Sequence, residues 1–365
     1  MPSTIRFLRQ YLRPVDGTVN ETEVGYSRGN GSLHATVFRP TGRTGQLPGW
    51  VVLHGLTRAG REHPALLRFC RAVASAGNVV FLPEIPEWRD LRVEPEVTLG
   101  TIREAVRALH LRADVRHEHV GLFGFSFGAT QALVAASDPE TAALLAGLAS
   151  WGGYYDLRRL FRFGLTGLHE IDGTTYHTQP DPYGSWVMAG NYLDRVPGYS
   201  GTAPVARALH ELALEAGEKG VYAWDPIYDG SKNRLRAGLD AGQRELFDLI
   251  APMTGAPRRD EARLLELADA LAATAITASP QLDPKPFLSV VDLPVLFAHG
   301  RDDRLIPFSE SILLSRAVPA RSLQSLTITA LFQHSGGTQS GLGTAGMARE
   351  GIRFVRLLRR MLRLV

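Results

Sequence analysis

The chain has 365 residues, 44% of them hydrophobic and 21% charged, with a formal net charge of +3. That composition fits a folded chain with a sizeable core and excludes disordered and collagen-like classes. The middle of the chain has no concentrated basic stripe, so no nucleic-acid partner is expected. Cys70 is the only cysteine, which rules out an intrachain disulfide and fits a reducing compartment. It sits in the helical pattern LLRFCRAVASAG and reads as a small buried apolar residue.

The N-terminal stretch MPSTIRFLRQYLRP lacks the apolar run of a signal peptide. The longest apolar stretch, AALLAGLA at 142–149, is too short to span a bilayer. A soluble, cytoplasmic protein without stable membrane insertion is expected.

In chain order, 22–28 and 32–39 predict a β-hairpin turning through Gly29, Asn30 and Gly31. WVVLHG (50–55) predicts a buried strand, followed by a helix over about 61–76. NVVFLPE (78–84) is a second such strand, and VTLGTIREAVRALHL (97–111) has helical spacing. HVGLFGF (119–125) is a third, and AALLAGLASWGG (142–153) ends a fourth behind an Ala-rich helix. LPVLFAHG (293–300) and LQSLTITAL (323–331) supply two more around a helix near 308–317, and a helix over about 343–364 closes the chain. Continuous apolar strands alternating with helices predict an α/β fold, a mostly parallel central sheet flanked by helices.

The rhythm breaks between 156 and 285, too long an interval for a loop. VARALHELALEAG and DEARLLELADALAATA make it mainly helical in pattern. Eight of the ten tyrosines fall between 154 and 228. The expected organisation is a core of 1–155 and 286–365 with an inserted cap domain, 156–285.

Four patterns carry chemistry. In GLFGFSFGAT (121–130), Ser126 stands between Gly124 and Gly128, after a predicted strand and before a predicted helix. Such a turn lifts a hydroxyl above the sheet edge beside a helix N-terminus. A serine hydroxyl needs a base, and His334 in LFQHSGG follows the last predicted strand. His54 and His299 each end a strand as His-Gly, where a structural role beside the site is expected. His117 and His119 in RHEH match no zinc spacing and read as exposed loop; no metal and no cofactor are expected. The base needs a carboxylate to hold its tautomer. HGRDDRLIP (299–307) offers Asp302 and Asp303, and Asp156 in WGGYYD is the rival.

The order serine, acid, histidine, with His-Gly at 54–55, GFSFG at 124–128, HGRDDRLIP at 299–307 and His334, resembles the α/β-hydrolase fold superfamily. The resemblance is to a serine esterase-like member with an inserted cap. It covers the core segments, about 20–155 and 286–365. It implies a Ser126–Asp303–His334 triad, with Asp302 an exposed neighbour, and an oxyanion hole from the backbone N–H of Phe127 and of Leu56 or Thr57, Leu56 being preferred. The HGGG form of that loop is absent here. It further implies hydrolysis of a small-molecule carboxylic ester through an acyl-enzyme. Thioesterase, peptidase or carbon–carbon hydrolase chemistry on the same triad, or a non-enzymatic small-ligand receptor, are the alternatives. Tyr154, Tyr155, Trp186, Tyr192 and Trp224 are candidate substrate-binding residues for an enclosed apolar pocket; packing between cap helices is their simpler explanation.

The stretches RFLRQYLRP (6–14) and IRFVRLLRRMLRLV (352–365) mix arginine with apolar residues at helical spacing. Core-packed surface helices are the plain expectation. Exposed apolar stripes there would instead serve a homodimer or a membrane-surface contact.

Overall fold

The computed structural model describes residues 2–29, 31–256, 260–331 and 343–365. The chain opens with α1 (Pro2–Leu12), then β1 (Val19–Arg28), β2 (Gly31–Pro40), β3 (Leu47–Leu53), α2 (Pro64–Ser75), β4 (Val79–Pro83), α3 (Pro86–Arg89) and α4 (Pro95–His110). It continues through β5 (Val115–Phe125), α5 (Phe127–Ala135), α6 (Pro139–Ala142) and β6 (Gly147–Trp151). Then come α7 (Leu157–Thr166), β7 (Leu168–Ile171), β8 (Thr174–His177), α8 (Pro182–Tyr192), α9 (Ala203–Lys219), α10 (Asp229–Ala237), α11 (Ala241–Ile250) and α12 (Glu261–Ala278). The last elements are α13 (Lys285–Leu288), β9 (Val295–Gly300), α14 (Phe308–Ala317), β10 (Leu323–Thr329) and α15 (Thr344–Met361).

Among the described residues, eight strands form one sheet in the order β1-β2-β4-β3-β5-β6-β9-β10. From β4 to β10 every neighbouring pair is parallel, while β2 runs antiparallel to both β1 and β4. The expected mostly parallel sheet flanked by helices is what the chain builds. Every residue of β4, β6 and β9 is buried, because helices cover both faces, and their sequences are accordingly apolar without alternation. On one face, α1, α2 and α15 meet through Phe7, Phe69, Cys70, Leu357 and Met361. Phe69 anchors this layer, its ring 4.9 Å from Phe123 and 5.1 Å from Phe125. Burying a phenylalanine is worth roughly 1.5–3 kcal/mol. The other face takes α4, α5 and α14, through residues such as Ile102, Leu133 and Leu314.

The chain steps from β3 outward to β4, then crosses back to β5 on the other side of β3. That reversal opens a crevice beyond the carboxyl ends of β3 and β5, the usual ligand position in such sheets. Asp156 starts the inserted helices, its side chain accepting from the N–H groups of Arg158 and Arg159 at the first turn of α7. Gly167, at φ 78°, ends that helix.

Three local expectations need correction. RHEH is not a loop: His117 and His119 lie on β5, whose early residues Val115 and Val120 both pair with β3 around a bulge. The helix expected from 61 is split, with a short 3-10 turn over Gly60–Glu62 and α2 starting at Pro64, where proline is tolerated at a first helical position. The inserted segment also holds a β7–β8 hairpin, turning through Asp172 and Gly173 at φ 53° and 74°.

Candidate active site

Ser126 occupies the turn between β5 and α5 with φ 55° and ψ −127°. A side chain rarely holds this conformation, at a cost of order 1–3 kcal/mol, unless its surroundings fix it. They do so here on three sides. The Ser126 N–H donates to the Trp151 carbonyl (2.8 Å), and its own carbonyl accepts from the Ala129 N–H (2.9 Å). The strand and helix flanking it approach so closely that a Cβ on Gly124 would lie 2.2 Å from the Gly128 carbonyl oxygen. A Cβ on Gly55 would lie 3.0 Å from that of Ser126, which puts the His54–Gly55 loop directly beside the hydroxyl.

Ser126 is half-buried and borders a cavity of about 90 Å³. The cavity also touches Leu56, Phe127 and Tyr154 of the core, and Leu160, Phe161, Tyr183 and Met188 of the inserted helices. Leu305 and Ile306, from the loop after β9, close one side. Tyr183 reaches down from α8 and donates its hydroxyl to the Leu56 carbonyl (3.1 Å). Asp181 caps α8, accepting from the N–H groups of Tyr183 and Ala223 (both 3.1 Å). Its own N–H donates to the Arg304 carbonyl (2.7 Å). The start of α8 is thus pinned to both loops that border Ser126.

Asp303 is 3% exposed. Its Oδ1 accepts from the N–H groups of Leu305 (2.9 Å) and Ile306 (3.0 Å), and its Oδ2 lies 3.5 Å from His299 Nε2. His299 is buried, with Nδ1 2.6 Å from Ser311 Oγ and Nε2 2.9 Å from the Ile306 carbonyl. It therefore braces the Asp303 loop. Asp302 is exposed. Asp156 is committed elsewhere: besides capping α7 it pairs with Lys285 at 2.6 Å. His334 lies outside the described residues.

Of the five candidate aromatics, Tyr154 borders the cavity; Tyr155, Trp186, Tyr192 and Trp224 are not among the described residues lining it. Trp186 donates its indole N–H to the Ile250 carbonyl (3.4 Å), and the Tyr192 hydroxyl donates to Val93 (2.9 Å). Lys285 lies over the Tyr155 ring, and Trp224 stacks on Tyr222 at 4.3 Å. The lining instead mixes aliphatic side chains such as Leu56, Leu160 and Leu305 with the rings of Phe127, Phe161 and Tyr183. Leu160, Phe161 and Gly164 share one face of α7, a stripe legible in LRRLFRFGLT as positions i, i+1 and i+4.

His54 is buried, its ring edge-on to Trp88 at 5.3 Å and its Nδ1 2.8 Å from the Gly55 carbonyl. Burial lowers its pKa from 6.5 to about 4. The unfolded chain takes up this proton near pH 6.5, while the folded chain resists until about pH 4. Stability present above pH 6.5 is therefore lost as the pH falls toward 4, by roughly 3 kcal/mol from this residue. Urea midpoints measured from neutrality to pH 4 should fall more steeply for the parent than for His54→Asn. Equal slopes would remove His54 from the acid response.

No family model matches the chain, and no curated protein matches it. Solved structures do. The uncomplexed acylaminoacyl peptidase of Pyrococcus horikoshii aligns with a TM-score of 0.50 at 14% identity, covering 97% of this chain and 43% of that one. Est1E from Butyrivibrio proteoclasticus aligns with a TM-score of 0.47 at 13% identity, over 92% and 99% of the two chains. A 2,6-dihydroxy-pseudo-oxynicotine hydrolase aligns with a TM-score of 0.46 at 17% identity, over 91% and 67%. The chain spans less than half of the peptidase's length, and at these identities the likeness is one of fold. Among the described residues, no helix is long and apolar enough to cross a membrane.

Proposed function

Because the chain has the α/β-hydrolase fold, we propose that it is a serine hydrolase cleaving small carboxylic esters through an acyl-enzyme. The observation that carries this reading is Ser126. A strained serine stands at the carboxyl end of a parallel strand, at the N-terminus of a helix, and opens onto an apolar cavity. Strain of this kind persists where the surroundings over-determine it, and it concentrates at reactive positions.

In this mechanism the Ser126 Oγ attacks the ester carbonyl carbon while its proton passes to His334. The carbonyl oxygen takes the negative charge and accepts from the backbone N–H groups of Phe127 and Leu56. Collapse breaks the bond to the alkoxy oxygen, which leaves as an alcohol with the proton from His334. Water, deprotonated by the same base, then attacks the acyl group and releases the acid and a reprotonated Ser126. Asp303 holds the base in its tautomer and stabilises its charge. The apolar side chains around Ser126 suit an apolar acyl group, and the roof formed by α7 and α8 disfavours polymeric substrates.

A fluorophosphonate probe tests the reading, with p-nitrophenyl esters assayed in parallel. The parent protein should be labelled covalently and Ser126→Ala should lose both labelling and hydrolysis. Labelling that survives in Ser126→Ala would place the nucleophile elsewhere.

A further inference from the structure

We infer that the outer face of α1 and α15 is a docking surface for an anionic phospholipid bilayer. The two helices touch one another and share the layer behind the sheet. Residues 2–13 and 344–365 hold nine arginines and a single acid, Glu350. Their charge exceeds the net +3 of the whole chain, so the remainder is net negative and the molecule is polarised.

The arginines of α15 and the residues after it are ordered. Arg349, Arg353, Arg356, Arg359, Arg360 and Arg363 follow at i, i+4, i+7, i+10, i+11 and i+14, which is one face of a helix. All six are exposed, while the opposite face buries Leu357, Leu358 and Met361. Glu350 is turned inward, accepting from the Ala330 N–H (3.1 Å) and pairing with Arg353 at 2.7 Å. The other five form no ion pair among the described residues, nor do Arg9 and Arg13 at the α1 end. Elsewhere Arg162, Arg236, Arg316 and Arg321 each face an aspartate.

Apolar side chains stand among these charges. Ile5 is 62% exposed and Leu12 71% on α1, and Ile352 is 54% and Val355 38% exposed on α15. Guanidinium groups on apolar stems, interleaved with aliphatic side chains, match the headgroup–acyl boundary of a bilayer, where phosphates take the charge and the acyl edge takes the isoleucines. A second copy of the chain fits poorly, since a two-fold contact would set arginine rows against each other. A nucleic acid would neutralise the arginines but leave the aliphatic side chains without a counterpart.

Co-sedimentation with vesicles tests this, using the whole chain. It should pellet with vesicles containing phosphatidylglycerol, not with phosphatidylcholine alone, and added salt should release it. Each arginine near such a surface is worth about fivefold in partitioning, so Arg356→Glu/Arg359→Glu/Arg363→Glu should lower binding about a hundredfold or more. Ile352→Ser/Val355→Ser should weaken binding while keeping its salt dependence. Hydrolysis of a soluble ester should be unchanged in both variants, which separates this surface from the Ser126 site. Equal binding to both vesicles, no binding, binding that survives the triple substitution, or duplex DNA competing as well as anionic vesicles would each overturn the inference. Sedimentation of the free protein as a dimer that the triple substitution dissociates would also overturn it, in favour of a self-contact.

Discussion

Replacing Asp303 by asparagine is expected to lower kcat by on the order of 10⁴ with the fold retained. The fold is retained because Oδ1 is the atom that holds the loop, accepting from Leu305 and Ile306. An asparagine carbonyl can make the same two bonds. The change falls on Oδ2, where an acceptor becomes an NH₂ donor. A donor there would turn His334, the proposed base, to the wrong tautomer and could not stabilise its charge. Asp156→Asn is expected to leave kcat nearly unchanged. Asparagine caps a helix about as well as aspartate, and the pair lost with Lys285, itself part-exposed, is worth at most about 1 kcal/mol. Steady-state kinetics with a soluble p-nitrophenyl ester, alongside urea unfolding, separates the two. If Asp156→Asn loses activity by orders of magnitude while Asp303→Asn keeps it, the acid sits at the start of α7.

The strand–helix alternation was legible because strands covered on both faces leave continuous apolar runs such as WVVLHG and LPVLFAHG. The Ser126 turn and the Asp303 loop were legible because each is local: a few adjacent residues set the backbone and the side chain together. The cavity wall is a different kind of problem. Trp186 and Tyr192 are conspicuous in the sequence, yet their polar ends are tied to the Ile250 carbonyl on α11 and to the Val93 carbonyl just before α4. Which aromatic meets the cavity depends on how helices far apart in the chain cross, and no local pattern records that. The β7–β8 hairpin did carry a local signal, because an Asp-Gly pair between short alternating segments favours a tight two-residue turn. The helical patterns on either side masked it. The start of β5 was missed because residues 116–118 are exposed and polar, and exposed strand residues look like loop.

The steepest structural sensitivity should lie at two glycines that carry no chemistry. In Gly124→Ala the new Cβ would meet the Gly128 oxygen at 2.2 Å, the Gly128 carbonyl carbon at 2.5 Å and the Ala129 Cα at 2.6 Å. All three are backbone atoms of the turn and of α5, so no side chain can swing aside and the helix must move off the strand. In Gly128→Ala the contact is the His54 carbonyl oxygen at 2.3 Å, so α5 would be pushed from the loop that leads to Leu56. Each substitution should destabilise the chain by about 1–3 kcal/mol or more. Each should also shift the Ser126 hydroxyl relative to the proposed oxyanion donors, the N–H groups of Phe127 and Leu56, and a shift near 1 Å is worth about a hundredfold in rate. Gly100→Ala is the matched control. Gly100 lies within α4 with nothing inside 4 Å of the added carbon, so the same change should stabilise the chain by about 0.5–1 kcal/mol and leave the rate alone. Urea midpoints and kcat for the three variants decide the matter. A Gly124→Ala protein as stable and active as its parent would mean that the contact between β5 and α5 does not set the geometry of Ser126.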